Sequence, residues 1–181
     1  MSKNPNSTLA PPVSRLFRST AQLTPQASKL IYSACTAHLA TADKSGVPHV
    51  IPICFVFDGK SFCSPIDEKP KRTTQLKRLK NIAENPTVAL VIDRYDEDWC
   101  KLAYVLVHGK ARVLRSGERH RAAVKLLRAK YRQYRTMAID ERPMIVIAPK
   151  QLVCWSAEPQ RFWAFMKRTR RSLKPGSIER S

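Results

Sequence analysis

Glycine, acidic residues and long apolar runs are all scarce in this chain of 181 residues. Only 5 residues are glycine, which excludes a glycine-rich loop of the kind that cradles phosphates in nucleotide-binding proteins. No apolar run approaches the roughly 20 residues that a helix needs to cross a bilayer. The first residues also lack the continuous apolar segment of a secretory signal, so we expect a cytoplasmic location. No Asp or Glu precedes Asp43, which keeps an organelle transit peptide open as the alternative.

The shortage of acidic residues leaves the chain strongly basic. The sequence has 14 Asp and Glu against 33 Lys and Arg, a formal net charge of +19. This balance favours an anionic partner such as a phosphorylated ligand or nucleic acid, with a solvated basic surface as the alternative. Three clusters carry most of the charge, at residues 69–80, at 110–135 and in a tail that begins near Lys167. We interpret the second and third clusters as solvated surface, and nucleic acid as a possible partner only of the tail.

The spacings typical of metal sites, disulfide frameworks and hydrolytic enzymes are also missing. The 5 cysteines are odd in number and none has CxxC spacing, so we expect reduced thiols, as in a cytosolic protein. No cysteine or carboxylate stands at ligand spacing from a histidine, so we expect no metal. No order of Ser, His and Asp or of Cys and His identifies a nucleophile, and the catalytic residues are therefore unassigned. The four histidines are His38, His49, His108 and His120.

Short strand patterns dominate the organisation of the chain. We expect a mobile polar arm at residues 1–23, one barrel domain at 24–158 and a basic tail at 159–181. Several strands with few helices favour a barrel or sandwich over a βαβ sheet. Helices are predicted after Thr24-Pro25, before Asn85-Pro86, and from a Ser116 cap to about Tyr134.

Three further patterns predict burial and strand shape. The apolar run from Thr87 to Asp93 predicts a strand that is buried on both faces. The next strand has Gly109 inside it, which indicates a bulge or bend. On the last helix, one buried stripe is predicted for Val124, Leu127, Tyr131 and Tyr134.

The segment from Gly46 to Pro86 is the most informative. Strand patterns at residues 47–57 and 61–64 meet at Asp58-Gly59, which suits a two-residue turn with positive φ at both positions. A basic segment with 6 cations follows at residues 69–80. It leads into a predicted helix, where unpaired backbone N–H groups favour phosphate. An apolar sheet beside such cations can hold a phosphorylated planar cofactor, with its ring on the sheet and its phosphate on the cations.

The order of these features resembles the pyridoxamine 5′-phosphate oxidase-like superfamily of FMN-binding split β-barrels, over residues 24–157. The matching elements are Gly46-x-Pro48, Pro52-Ile53-x-Phe55, a strand ending in Ser64, the basic run, Asn81-Ile82-x-x-Asn85-Pro86-x-Val88 and Gly109-Lys110-Ala111. Two further stretches resemble a subgroup described as probable deazaflavin-dependent oxidoreductases: Asp67-x-Lys69-Pro70-Lys71-Arg72-Thr73 and Tyr95-Asp96-x-Asp98-Trp99. The resemblance implies a mainly-β split barrel of Greek-key type with a few flanking helices, homodimeric, with its cofactor at the dimer interface.

The resemblance also implies a set of cofactor-binding residues. One strand borders the isoalloxazine ring, Ser64 lies near the phosphate, and Lys77 and Arg78 match the phosphate-binding pair. Because the connection before the helix is long, residues 71–73 are rivals for the same role. Trp99 covers the ring from the partner subunit, with an aromatic plug over the barrel end as the alternative. The full set is Pro52, Ile53, Cys54, Phe55, Ser64, Lys71, Arg72, Thr73, Lys77, Arg78 and Trp99.

We therefore expect an oxidoreductase that uses FMN or the 8-hydroxy-5-deazaflavin coenzyme to transfer a hydride to or from a small molecule. The missing catalytic signature fits, since such a cofactor carries the chemistry itself. The segment after Trp155 lacks the Arg-Leu-His type of ending found in true pyridoxamine phosphate oxidases, which disfavours that activity. The alternatives are a non-catalytic flavin- or haem-binding barrel and a basic nucleic-acid-binding barrel.

Overall fold

The computed structural model describes residues 14–17, 20–67 and 76–157. The tail expected at residues 159–181, and most of the arm expected at residues 1–23, lie outside this part of the chain. None of the helices within it is long and apolar enough to cross a membrane. The elements are β1 Arg15–Phe17, α1 Pro25–Ser33, β2 Ala37–Ala42, β3 Pro48–Ile53, β4 Val56–Phe57, β5 Phe62–Pro65, α2 Lys77–Glu84, β6 Thr87–Arg94, β7 Ala103–Leu114, α3 Glu118–Lys130 and β8 Met144–Ser156, with 3-10 turns at Thr20–Gln22, Trp99–Lys101 and Arg132–Arg135.

The described strands form one antiparallel sheet. Its order is β3-β2-β6-β7-β8-β5-β4, and β1 also pairs with β8. The long strand β8 pairs with β7 along one side, while its other side is shared by β5 and then β1. The sheet curls until its β3 end approaches β5, as the residues around the cavity described below show. The predicted mainly-β split barrel with flanking helices is confirmed.

Two hydrophobic cores lie on opposite faces of this sheet. Side chains alternate along the strands, so that Val88, Leu90 and Ile92 of β6 point into the larger core, which α1 and α2 help to close. The smaller core packs α3 against the opposite face near β4, β5 and the start of β8. The remaining part of that opposite face has no cover within the described chain.

We call this uncovered area the outer face. Strand pairing aligns His38 of β2 with Val91, Leu106 and Val153 across four neighbouring strands. Most of its side chains are apolar and half-buried or exposed. The expectation that the β6 strand is buried on both sides is therefore wrong for the single chain. The apolar members of the outer face are Ala40, Val50, Ala89, Val91, Tyr104, Leu106, Val153 and Trp155.

Three helix boundaries were predicted from capping residues and proline, and two of these predictions are confirmed. Thr24 caps α1, because its side chain accepts a hydrogen bond from the N–H of Ala27 at 3.2 Å. The helix α2 ends at Glu84, directly before Asn85-Pro86, as predicted. The predicted Ser116 cap of α3 is wrong. Gly117, with φ of 103°, holds the cap position and no side chain caps the helix.

The turn between β4 and β5 also differs from the prediction. The loop spans residues 58–61, and only Gly59 has positive φ, at 87°. Asp58 instead receives hydrogen bonds at its Oδ1 from the N–H groups of Lys60 and Ser61, at 2.9 and 2.6 Å. The turn is longer than two residues because the Asp58 side chain organises it without leaving the negative-φ region.

The five cysteines all lie in the described residues, and none forms a disulfide. Burial raises the pKa of the Cys63 thiol to about 12 and that of the Cys154 thiol to about 11. Both thiols therefore stay protonated and behave as small apolar side chains of the sheet.

The internal glycine of β7 marks a bulge, as predicted, since the pairing with β8 shifts between His108 and Gly109. A Cβ atom at Gly109 would lie 2.5 Å from the carbonyl oxygen of Ala148. We expect Gly109→Ala to lower the free energy of unfolding by about 1–3 kcal/mol, because the backbone of β8 has to move. Thermal unfolding followed by circular dichroism measures this, and a melting temperature equal to that of the unmodified chain would contradict it.

Candidate functional site

A cavity of about 250 Å³ opens where the β3 end of the sheet approaches β5. The N-terminal part of α2 and the 3-10 turn Arg132–Arg135 complete its walls. It combines apolar surface with several polar side chains that converge on one space, which is the usual composition of a small-molecule site. Its lining residues are Ile51, Pro52, Ile53, Cys54, Ser64, Pro65, Asp67, Arg78 and Tyr134.

The edge strand β3 supplies the apolar wall of this cavity. The backbone N–H of Asp43 donates a hydrogen bond to the carbonyl oxygen of Val47 at 3.3 Å. In the antiparallel ladder between β2 and β3, every second residue of β3 from Val47 onwards therefore directs its backbone N–H and C=O groups towards β2. By that alternation, Pro48, Val50 and Pro52 direct their backbone groups away from β2. Because proline has no N–H, the edge beside the cavity presents the carbonyl oxygen of Pro52 on an apolar surface.

Ser64 and Arg78 bring the polar character expected of an anion site. Ser64 is only 3% exposed, and it lines the cavity. Arg78 lines the same space, and its buried Nε lacks a partner among the described atoms. Burial lowers the pKa of Arg78, and the nearby Asp67 carboxylate opposes that shift. An anion in the cavity could accept hydrogen bonds from both side chains.

Asp67 and Tyr134 form a second polar pair in the cavity. The Tyr134 hydroxyl donates a hydrogen bond to Asp67 Oδ2 at 3.2 Å. Burial raises the pKa of Tyr134, with further contributions from Cys54 and Asp67, so the phenol keeps its proton. The sequence had placed Tyr134 on a core stripe, and it had used Asp67 only as the first residue of a motif. Both were missed as site residues, together with Ile51 and Pro65.

The structure brings together five of the residues that the sequence predicted for the site. Pro52, Ile53, Cys54, Ser64 and Arg78 all line the cavity. Their role in binding a cofactor stays a prediction.

The other predicted residues lie elsewhere or outside the described part of the chain. Phe55 is fully buried in the larger core, against Phe62. Lys77 points its Nζ at Asp43 Oδ2, 3.0 Å away, and this contact lowers the pKa of Asp43. Trp99 is 49% exposed and does not line the cavity of its own chain. The three rivals Lys71, Arg72 and Thr73 lie outside the described residues.

The side chain of Asn81, three residues after Arg78 on α2, is fully buried. Asn81 donates from Nδ2 to the hydroxyl oxygen of Thr41 at 3.0 Å. Its Oδ1 has no partner among the described atoms. Leaving a buried polar group unpaired costs about 1–3 kcal/mol, so the arrangement at Asn81 needs a reason beyond packing.

Tyr131 fixes the chain where β3 ends and β4 begins. Its hydroxyl oxygen accepts from the N–H of Phe55 at 3.0 Å. The same hydroxyl lies 2.8 Å from the carbonyl oxygen of Phe55 and 2.9 Å from that of Cys35. This contact holds Cys54, the residue before Phe55, at the cavity wall.

We expect Tyr131→Phe to lower the free energy of unfolding by about 1–3 kcal/mol, because the buried N–H of Phe55 loses its acceptor. Chemical denaturation followed by tryptophan fluorescence measures the effect. Tyr95→Phe is the matched control, since the Tyr95 side chain is 67% exposed. Equal stability of the two variants would show that the hydroxyl of Tyr131 contributes nothing.

Comparisons with known proteins give a family and a fold. The family described as pyridoxamine 5′-phosphate oxidase matches residues 23–156. Among solved structures, the haem storage protein HutZ from Vibrio cholerae has 16% identity and a TM-score of 0.61, over 75% of this chain and 98% of that chain. An FAD-binding protein from Mesorhizobium loti has 17% identity and a TM-score of 0.56, over 78% of this chain and 96% of that chain.

A third solved structure, an F420 reductase, has 21% identity and a TM-score of 0.51, over 72% of this chain and 98% of that chain. No curated protein matches the sequence. At these identities, the likeness to the solved structures shows the fold and no particular ligand.

Proposed function

Because this chain belongs to the pyridoxamine 5′-phosphate oxidase family, we propose that it binds a flavin-type cofactor in the cavity between β3 and β5. FMN and the 8-hydroxy-5-deazaflavin coenzyme are the two candidates. The observation that carries the proposal is that an apolar strand edge lies beside Ser64 and Arg78 in one cavity, where the buried Nε of Arg78 has no partner among the described residues. We propose an oxidoreductase that acts on a small molecule.

The chemistry of the cavity supports this choice of ligand. FMN and the deazaflavin coenzyme both have a planar ring and a ribityl chain that ends in a phosphate ester. Arg78 can donate two parallel hydrogen bonds to phosphate oxygens, and Ser64 can add a third. The carbonyl oxygen of Pro52 can accept from the ring edge, while Asp67 can accept from ribityl hydroxyl groups.

The residues of this chain would act by holding and shielding the cofactor. A bound flavin or deazaflavin supplies hydride transfer, and the protein orients it and excludes water. Tyr134 keeps its proton and holds Asp67 by a hydrogen bond, which fixes that carboxylate against the ligand. No residue is assigned to the transfer of a proton in the reaction.

The size of the cavity supports a second copy as the partner. Small-molecule sites commonly enclose about 300–1,000 Å³, whereas the cavity of the single chain measures about 250 Å³. The apolar outer face runs beside it, because His38 of that face pairs directly with Pro52 of the cavity. We therefore propose a homodimer through the outer face, in which Trp99 of the partner covers the cofactor ring.

We also propose a cytoplasmic location, where the five thiols stay reduced.

A spectroscopic titration tests the cofactor proposal. The purified full-length chain is mixed with FMN or with the deazaflavin coenzyme, and fluorescence and absorbance are followed. We expect saturable binding of one of them, and a reduced bound cofactor that transfers its hydride to menadione, the probe acceptor, faster than the free cofactor does. Absence of binding to both would refute the proposal.

Haem binding without turnover is the second candidate. The outer face carries His38 and His108 among apolar side chains, with side chains exposed to solvent, and imidazole is a common ligand of haem iron. A Soret band on addition of haemin, combined with no affinity for either flavin, would favour this function. Binding of nucleic acid by the tail at residues 159–181 stays a prediction.

A further inference from the structure

Two buried polar atoms on α2 have no hydrogen-bond partners among the described residues: Nε of Arg78 and Oδ1 of Asn81. The first is a donor and the second an acceptor, so each could satisfy the other. Residues three apart on a helix lie on the same face, with Cβ atoms about 5–6 Å apart. Helix side chains lean towards the N-terminus, which inclines Asn81 over the turn that carries Arg78.

The other end of the Asn81 amide is already held. Nδ2 donates to Thr41 Oγ1 at 3.0 Å, and the Thr41 hydroxyl donates to the carbonyl oxygen of His49 at 3.4 Å. Asn81 is 0% exposed and Thr41 is 3% exposed. With Nδ2 bonded to Thr41 in this way, Oδ1 is the end of the amide that is left as an acceptor.

We propose that Asn81 is a positioning residue for Arg78. Its Oδ1 accepts the Nε–H of Arg78 when an anion occupies the cavity, and this bond fixes the plane of the guanidinium. The two terminal nitrogens of Arg78 are then left to bind two oxygens of a phosphate in parallel. This inference rests on the proposed function, because it requires a phosphate ester at Arg78.

The test compares ligands with and without a phosphate. The probes are FMN against riboflavin, and the deazaflavin coenzyme against its phosphate-free riboflavin-like chromophore. Asn81→Leu removes the acceptor at similar volume, and we expect about a tenfold loss of affinity for the phosphorylated probe. Affinity for the phosphate-free probe should not change. Thr41→Val releases the amide without removing it, and a smaller loss in the same direction is expected.

A double-mutant cycle separates positioning from a general structural effect. Arg78→Ala alone should collapse the preference for the phosphorylated probe, and adding Asn81→Leu should then change nothing further. If Arg78→Ala leaves the preference intact, or if the unmodified chain has no such preference, the proposed phosphate site fails and the inference fails with it.

Other outcomes would overturn the inference alone. Asn81→Leu could leave the preference unchanged while Arg78→Ala abolishes it, or it could weaken both probes of a pair equally. In either case Arg78 would bind phosphate without help from Asn81. If Asn81→Leu does not fold, Thr41→Val decides: an unchanged preference in that variant rejects the positioning role.

Discussion

Replacing Arg78 by alanine should weaken the binding of FMN or of the deazaflavin coenzyme at least tenfold. Arg78 lines the cavity, and its buried Nε is unpartnered within the described residues. Hydrogen bonds to charged groups contribute about 1.5–3 kcal/mol each, and about 1.4 kcal/mol corresponds to a factor of ten. Fluorescence titration of the folded variant measures the loss.

Lys80→Ala is the matched control for this variant, because it removes one positive charge from the same helix. Lys80 is exposed and lies 3.8 Å from Glu84, and it does not line the cavity. Lys77→Ala should also have a weaker effect than Arg78→Ala, since Lys77 is bound to Asp43. Unchanged affinity in Arg78→Ala would rule out this phosphate site and direct the search to Lys71 and Arg72.

Light scattering of the full-length chain at micromolar concentration should give twice the chain mass of 20.6 kDa. Val91→Asp should convert this dimer to a monomer. Val91 lies between His38 and Leu106 on the outer face, and interfaces of obligate dimers commonly bury about 2,000 Å² or more. A two-fold axis would place one new carboxylate on each copy, and an unpaired buried charge costs several kcal/mol.

Two further variants test whether a loss of the dimer comes from misfolding or from added charge in general. Val50→Asp changes an outer-face side chain that is 58% exposed in the single chain, so its fold should tolerate the charge. Leu126→Asp, on α3 and away from the outer face, should stay dimeric because Leu126 is already 40% exposed. A monomeric unmodified chain, or dimers in both outer-face variants, would reject the interface.

The architecture was predictable because period-two alternation and the ordered motifs both point to a split barrel. The strands that line the cavity were therefore located in advance, along with Pro52, Ser64 and Arg78. The roles of Lys77 and Tyr134 were not predictable. Lys77 donates a hydrogen bond to Asp43, which lies in a turn far away in the sequence. A sequence pattern does not show which cation of a basic run forms such a contact.

Tyr134 illustrates the second limit. Its spacing from Val124 and Leu127 indicates burial, and it is indeed only 2% exposed. The same spacing does not show that its hydroxyl reaches Asp67 across the fold. The prediction of the turn at Asp58 was wrong for a related reason, because backbone N–H groups that donate to the Asp58 side chain, and not backbone preference, decide the length of the turn.

The prolines of β3 have a consequence for how copies of this chain can meet. An unpaired sheet edge is a template on which further strands can add, which leads to fibres. Pro48 and Pro52 remove two N–H groups from one end of the sheet, and the strand at the other end, β4, is only 2 residues long. Neither end supports a continuous ladder within the described chain. The proposed association through the outer face would close after two copies, whereas edge-to-edge growth would continue without limit.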